Sequence, residues 1–311
     1  MSELVVKGKE NKSSVKKLGS EIWKARNAYF FLLPMLVGVI MFGYYPPLMG
    51  LYRSLFDWRL SGRMEFVGFN NFKNLFQDIT FLNSFPVMLK LFVPSLIIGI
   101  TVPFIMSELL FAVKNLKLKS IYRILILLPM ITPGVVGTLI WKYIYNPQDG
   151  IVTAILRLVG LMGKEQVIDW LHNPKTVIPA IIFMGFPWVG GSSVLIYLSG
   201  LIGIGNEIFE SAKLDGANTI KRIWHIDIPS LIGQFRYFLI FGIIGGLQNF
   251  GVQVVLTHGG PGYSTYVPAY YMYTVSFTGG MMGYGCAIGT VLFVLIFIVS
   301  VFTFRYLKER S

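Results

Sequence analysis

The sequence predicts an all-α integral membrane protein with six transmembrane helices. Hydrophobic residues make up 54% of the 311 positions and the mean hydropathy is +0.63, which is more apolar material than a soluble core of this size encloses. Four stretches of at least 18 residues lack Asp, Glu, Lys and Arg, and the longest, 237–304, has 68 residues. A bilayer core about 30 Å thick requires about 20 residues of helix. The alternation of a membrane barrel is absent, so helices are the predicted spanning elements.

The uncharged stretches and the residues that break them give the boundaries of the spans. The 68-residue stretch must contain two spans, because Gly and Pro within 258–262 do not continue a helix. Span two carries Lys90 and Glu108 near its ends, where we interpret both as interfacial, although a carboxylate inside a span is also a functional candidate. We place the six spans at residues 28–51, 84–112, 122–145, 176–203, 232–257 and 284–306.

The distribution of positive charge predicts the orientation. Eighteen of the 27 Lys and Arg residues fall in the tail 1–27, the loop after span two with the adjoining Arg123, the segment between spans four and five with the adjoining Arg236, and the C-terminal end including the tail 307–311. Because positive residues remain in the cytoplasm, we expect both termini and the segment between spans four and five to be cytoplasmic. The net charge of +12 then reflects topology and contact with the anionic lipid bilayer, with no nucleic-acid partner.

The polar segment, Asn206–Pro229, interrupts this apolar chain with charged and helix-forming residues. We expect Asn206 to cap a first helix, Glu207 and Glu210 to lie in its first turns, and Gly216 to end it. On periodicity alone, a helix lying on the lipid headgroups is the simpler interpretation. One face of the predicted helix is apolar at three- and four-residue spacing: Ile208, Phe209, Ala212 and Gly216.

Three motifs resemble one family of membrane proteins. The string ESAKLDGA (210–217), followed by Ile226 and Pro229, resembles the EAA loop of binding-protein-dependent ABC importer permeases, with Ser in place of the usual second Ala. YNPQDG (145–150) and LTHGGP (256–261), with Thr265 beyond, resemble two further family motifs. Together the similarity covers residues 28–306 and is closest to the carbohydrate type, such as the maltose and glycerol-phosphate permeases.

The resemblance implies the type I ABC importer permease fold, in which this loop, here about 205–230, forms a cytoplasmic coupling helix that docks on an ATPase subunit. It also implies a bacterial or archaeal plasma membrane and a heterodimer with a second homologous permease. Two ATPase subunits, an extracellular or periplasmic solute-binding protein and a sugar substrate complete the expected partners. The residues expected to couple this chain to the ATPase are Glu210, Ala212, Asp215, Gly216, Ala217 and Pro229.

No feature of the sequence predicts chemistry within this chain. The phosphate-binding motif G-x-x-x-x-G-K-[ST] does not occur, so we expect ATP and Mg²⁺ to be bound by the partner ATPase subunits and no cofactor here. The three histidines, His172, His225 and His258, lie in different loops, which makes a metal site improbable. The chain is therefore predicted to be a permease subunit and not an enzyme.

Spans four and five are the predicted translocation path. The stretch FMGFPWVGG (183–191) places Pro and Gly inside span four, and span five has a small-residue face of Gly242, Gly245 and Gly246. Amide side chains in span five are costly in lipid unless they face protein or a wet cavity, although they and Trp188 can equally serve only to join helices. By resemblance, the lining residues are Met184, Gly185, Trp188, Gln248 and Asn249.

Two other classes of function are alternatives to an ABC importer permease. A secondary transporter or channel for a small polar solute would be expected to carry charges within its spans and inverted repeats. A membrane-embedded enzyme would need a catalytic set that the sequence does not display. Purification separates these hypotheses, because the first alone predicts stoichiometric ATPase subunits in the same complex.

Overall fold

The computed structural model describes residues 23–163 and 165–306, so the predicted tail 307–311 and most of the tail 1–27 lie outside the described residues. The chain forms two compact units that meet in sequence between Arg53 and Ser54. The first unit contains helix α1, Arg26–Arg53, which matches predicted span one. α1 contains Pro34 and a π-helical stretch, Val39–Tyr44, and at 28 residues it is long enough to cross a bilayer.

The second unit begins with a small β-hairpin that the all-α prediction did not include. Strand β1, Phe56–Trp58, pairs antiparallel with β2, Met64–Phe66. Gly62 supplies the positive φ of +95° that the connecting turn requires. Strands of three residues are too short to give a readable alternation, so sequence periodicity does not reveal them.

The rest of the second unit is helical. Its helices are α2 Asn70–Leu75, α3 Ile79–Ala112, α4 Leu116–Leu127, α5 Gly134–Ile144, α6 Ile151–Leu158, α7 Val177–Phe183, α8 Gly191–Gly203, α9 Asn206–Leu214, α10 Thr219–Ser230, α11 Ile232–Leu247, α12 Pro268–Tyr273 and α13 Met282–Tyr306. Within α10 the stretch Ile223–Asp227 is π-helical, as are Gln253–Thr257 after α11 and Thr274–Thr278 after α12.

The lengths of these helices fit a membrane protein with several spans. Among the described residues, α1, α3 and α13 are each long and apolar enough to cross a bilayer. Three further pairs pass the same test when each pair is taken together: α4 through residue 131 with α5, α8 with α9, and α10 with α11. These pairs bend by 92°, 71° and 67° at their breaks, so the structure accommodates up to six spans.

Glycine and proline account for the interruptions. The predicted break in span four is confirmed, because α7 ends at Phe183 and α8 begins only at Gly191. The 68-residue stretch is also divided as predicted, with His258 in the left-handed region at φ +48°. The sharp bend in span three, which the sequence analysis did not predict, follows from Pro133. The residue before it, Thr132, is held extended (ψ 125°), and a helix cannot pass through that conformation.

α3 is the central helix of the second unit. Near its start, Met88 and Leu91 join a buried cluster with Ile243 and Leu247 of α11. Near its end, Phe104 joins a second cluster with Tyr197 of α8, in which Leu201 and Leu231 are also buried. α3 thus connects the packing at one end of the bundle with the packing at the other.

Two glycines let α11 approach α3 closely. A Cβ at Gly242 would lie 2.5 Å from Leu96 Cδ1, and one at Gly246 would lie 2.7 Å from Phe92 Cδ2. Gly245, which the sequence placed on the same small-residue face, has no atom within 4 Å of a Cβ position. The close contact between α3 and α11 therefore uses Gly242 and Gly246 only.

Candidate functional site

The polar segment forms two short helices joined by a glycine turn. α9 ends as predicted, with Gly216 at φ +73°. The N–H of Ala217 donates to the carbonyl of Ala212 at 2.9 Å and the N–H of Gly216 to that of Lys213 at 3.1 Å, which together make a Schellman C-cap. The expected cap by Asn206 is wrong. Gly205 holds the N-cap position and Asn206 is already helical, with no side-chain cap at this end.

The surface of the polar segment combines acidic and apolar groups. Glu210, Asp215, Gly216 and Pro229 are exposed, whereas Ala212 and Ala217 are half-buried on the inner side. Beside the exposed acids lie large apolar side chains that contact little within this chain, above all Leu214 (89% exposed) and Trp224 (65%). Such a surface offers both charge and apolar area for contact with a partner.

The inner side of the polar segment is held by an ionic network that the sequence analysis did not assemble. Arg222 Nη2 donates to Glu108 Oε2 of α3 at 2.7 Å, and Arg222 Nε donates to Asp227 Oδ2 at 2.8 Å. Asp227 is fully buried, and the Glu108 side chain is 9% exposed. The guanidinium also lies over the rings of Phe111 and Phe209, 5.7 Å from each centroid. The only signal in the sequence was Glu108, a carboxylate within a predicted span.

A cavity of about 340 Å³ lies between α3, α11 and the chain that follows α11. Its size falls within the range of small-molecule sites. The wall is mainly apolar, with Phe92 and Phe241 among its aromatic side chains. Its polar side chains are Ser95, Ser193, Asn249 and Gln253. A few polar groups in an apolar wall can orient a polar ligand while the remaining surface contacts its carbon skeleton.

The structure brings only one of the five predicted path residues to this cavity. Asn249 lines it, whereas Gln248 lines a separate cavity of about 520 Å³ beside α13 and donates to the carbonyl of Ile244 at 2.8 Å. Trp188 packs edge-on against Phe183 and Phe186, and its Nε1 donates to the carbonyl of Ile182 at 2.9 Å. Met184 packs on the cluster around Tyr145 and Leu171, and Gly185 adopts φ +95° beside it. Gln253 was not singled out as a lining residue, although it is an amide in the same span.

The two other sequence motifs form tight loops. In residues 145–150, Tyr145 donates to the carbonyl of Ala180 at 2.8 Å, and a Cβ at Gly150 would lie 2.5 Å from the carbonyl oxygen of Ile144. In residues 256–265, the hydroxyls of Thr257 and Thr265 lie 2.8 Å apart. These contacts fix the chain at the ends of α5 and of the stretch after α11.

The described residues contain no candidate metal centre. Among residues 23–163 and 165–306, no group of three His, Cys, Asp or Glu side chains lies close enough to hold a metal ion.

Asp78 lies at the start of α3, outside the predicted spans. Burial favours the neutral form of its carboxyl group, but four hydrogen bonds to the carboxylate outweigh the effect of burial. The pKa of Asp78 is therefore below its ordinary value.

The comparisons with known proteins agree on one family. Residues 79–311 match the family described as binding-protein-dependent transport system inner membrane component. The probable ABC transporter permease protein YurN of Bacillus subtilis is 28% identical over 281 residues, covering 90% of this chain and 95% of the relative. The arabinooligosaccharides transport system permease protein AraP of the same organism is 29% identical over 280 residues, covering 89% of this chain and 87% of the relative.

The fold agrees with that of a solved importer. A chain of a bacterial ABC transporter involved in the import of the acidic polysaccharide alginate superimposes with a TM-score of 0.83 at 22% sequence identity, covering 95% of this chain and 99% of that chain. The chain belongs to the binding-protein-dependent transport system inner membrane components, the permease subunits of ABC importers.

Proposed function

We propose that this permease forms half of the path by which a sugar or oligosaccharide enters the cell. The observation that carries the proposal is the cavity of about 340 Å³, in which two amides, Asn249 and Gln253, and two serine hydroxyls are set in a mainly apolar and aromatic wall. Amide and hydroxyl side chains can form hydrogen bonds with the hydroxyl groups of a sugar, and aromatic faces can pack against its C–H surface. The relative named for arabinooligosaccharide transport, 29% identical to this chain, supports the same substrate class.

The polar segment acts, in this proposal, as the coupling helix on the cytoplasmic side. ATP and Mg²⁺ are bound by two separate ATPase subunits, which contact Glu210, Asp215 and Gly216 on the exposed side. Ala212 and Ala217 have small side chains, which let α9 lie close to the rest of the helical bundle. Pro229 lies three residues before the start of α11 and so leads the chain from the polar segment into that helix. The exposed Leu214 and Trp224 support a docking role, because both present apolar area that this chain does not cover.

A second permease subunit and an external solute-binding protein complete the proposed assembly. The residues at 28–306 form the transmembrane part, and both tails face the cytoplasm. On the opposite side, the hairpin β1–β2 carries alternating charges, with Arg63 Nη2 donating to Glu65 Oε2 at 2.7 Å. Mixed exposed charges of this kind suit a transient contact such as delivery of solute by a binding protein. A solved chain of the alginate transporter was crystallised with a periplasmic protein bound to alginate pentasaccharide, which supports this arrangement.

The proposal is tested by transport with the complete assembly. The complex of two permeases, two ATPases and binding protein is reconstituted in liposomes, and uptake of a panel of labelled mono- and oligosaccharides is measured with ATP inside. We expect Asn249→Ala to lower uptake about tenfold, a loss equivalent to one or two hydrogen bonds to solute, with unchanged assembly.

Two further variants separate the cavity from the path expected by resemblance. Gln248→Ala and Trp188→Ala lower uptake if the residues expected by resemblance also line the path. Wild-type uptake by these two variants, together with loss by Asn249→Ala, assigns the path to the cavity alone. Uptake of sugar by all three variants at the wild-type rate contradicts the proposed path, and uptake without ATPase subunits contradicts the proposed mechanism.

A further inference from the structure

Arg222 lies where three helices meet. It belongs to α10, its two hydrogen-bonded carboxylates come from α3 and α10, and the two rings beneath it come from α3 and α9. Its Nε and Nη2 lie on one edge of the planar guanidinium, so Glu108 and Asp227 are held side by side. A single side chain therefore joins the polar segment to the end of α3.

The two carboxylates depend on this guanidinium. Glu108 Oε1 and Asp227 Oδ1 are buried and have no hydrogen-bond partner. Without Arg222, two neighbouring carboxyl groups in a buried site would lose the donor that they share, which is strongly unfavourable. Apolar packing of Phe209, Ile223 and Ile226 also holds the segment, but such contacts allow sliding. The directional bond from Arg222 to Glu108 fixes the register, and the bond to Asp227 within α10 holds the guanidinium in the orientation that this contact needs.

α3 leads from this network to the cavity. The same helix that carries Glu108 and Phe111 contributes Phe92, Ser95 and Leu96 to the cavity wall. A displacement of the end of α3 is therefore a displacement of one wall of the cavity, because packed helices shift as units between discrete arrangements.

We propose that Arg222 is a positioning residue that fixes the polar segment to the end of α3, so that the two move as one body when the ATPases close. This inference rests on the proposed function, because it assumes that the polar segment is the part that the ATPases move. α3 is then the element through which nucleotide binding alters the cavity, and the network of Glu108, Arg222 and Asp227 is the joint.

The joint is tested by distances between spin labels in the assembled complex in lipid nanodiscs. Cys286 is replaced by Ser, and label pairs are placed at Leu109 and Thr219, which report on the joint, and at Leu161 and Thr219, which report on movement of the polar segment. Thr219 is exposed and lies outside the proposed docking residues. Each distance is measured without nucleotide and after trapping with ATP and vanadate. In the wild type we expect the 161–219 distance to shift and the 109–219 distance to stay the same.

Substitutions then break the joint. Arg222→Met keeps the length of the side chain but removes both bonds, and we expect the 109–219 distance to shift on trapping. Arg222→Lys, which retains the charge without the planar fork, is expected to give a smaller shift. The matched control is Lys221→Met, one residue away and exposed, which should behave as the wild type. If Arg222→Met does not assemble, the uncharged combination Glu108→Gln, Arg222→Met and Asp227→Asn is measured in its place.

The outcomes separate this inference from the proposed function. An unchanged 109–219 distance in Arg222→Met, or in the uncharged combination where that is measured, overturns the joint. So does a shift of the 109–219 distance in the wild type, although in both cases the coupling role stands. An unchanged 161–219 distance in the wild type contradicts the coupling role itself. A wild-type 109–219 distance that stays constant and a variant distance that shifts together support the joint.

Discussion

Asp78 shows how much one residue can contribute at the end of a long helix. Its Oδ1 accepts from the backbone N–H groups of Thr80 at 2.9 Å and Phe81 at 3.3 Å, which makes it the N-cap of α3. Its Oδ2 accepts from the hydroxyl of Tyr284 at 2.9 Å and from that of Tyr271. One carboxylate thus connects the start of α3 to the chain around α12 and α13.

The lowered pKa of Asp78 predicts a pH-dependent stability. Because the folded-state pKa lies below the unfolded value of about 3.9, the stabilisation is complete above that value and is lost as the pH falls through the folded-state pKa. We expect the thermal unfolding midpoint of the purified protein in detergent to fall more steeply below about pH 4 than that of Asp78→Asn.

The Asn variant is the matched control for the charge, since Asn also caps helices. At neutral pH it should lower the free energy of unfolding by about 2 kcal/mol through loss of charge-assisted hydrogen bonds. Glu65→Gln, which removes an exposed ion pair with Arg63, should have little effect. Parallel pH profiles for the wild type and Asp78→Asn would show that this carboxylate does not contribute.

At the scale of single elements, the contact of α11 with α3 depends on two glycines. Gly246→Val places a Cβ 2.7 Å from the ring of Phe92, and overpacking of this kind costs about 2 kcal/mol. We expect a lower unfolding midpoint and less protein in the membrane. Gly245→Val is the control, since it is one residue away in the same helix with no neighbour within 4 Å. Equal stability of the two variants would contradict the close packing.

The end of α9 gives a second prediction at this scale. A side chain at Gly216 has open space around it but requires φ +73°, which costs an ordinary residue about 1–2 kcal/mol. Asn tolerates this conformation better. We therefore expect Gly216→Asn to retain substrate-stimulated ATPase activity in the assembled complex, and Gly216→Trp or Glu210→Lys to lose it. Unchanged stimulation in the latter two would reject a docking role for this surface.

Local sequence signals predicted where helices break better than they predicted which residues contact one another in the folded chain. Pro187 and the glycines around it predicted the break in span four, and His258 with the glycines after it predicted the division of the last long stretch, because both effects act on the backbone itself. Asn249 and Gln248 show the limit. Both residues follow the end of α11 at Leu247, so no helical period sets their directions. They face different cavities, which only the packing of α3, α11 and α13 decides. The partnership of Glu108 with Arg222, 114 positions apart, likewise has no local signature.

At the scale of the whole molecule, the remaining prediction concerns orientation in the membrane. In a Cys286→Ser background and in vesicles without ATPase subunits, Leu214→Cys (89% exposed) should react with a membrane-impermeant thiol reagent only when the vesicles are inside-out. Leu161→Cys (77% exposed) should react only in right-side-out vesicles. The opposite pattern would place the polar segment outside the cell and would contradict both the positive-inside assignment and the contact with the ATPases.

The length of α3 has a mechanical consequence. At 1.5 Å per residue its 34 residues extend about 50 Å, well beyond a hydrocarbon layer of about 30 Å. Its first turn is tethered through the Asp78 carboxylate, which accepts from the hydroxyls of Tyr271 and Tyr284. Its last turns are tethered through Glu108, which accepts from the Arg222 guanidinium. A rod tethered at both ends has its tilt set by the protein, so a thinner or thicker bilayer must adapt around it rather than re-orient it.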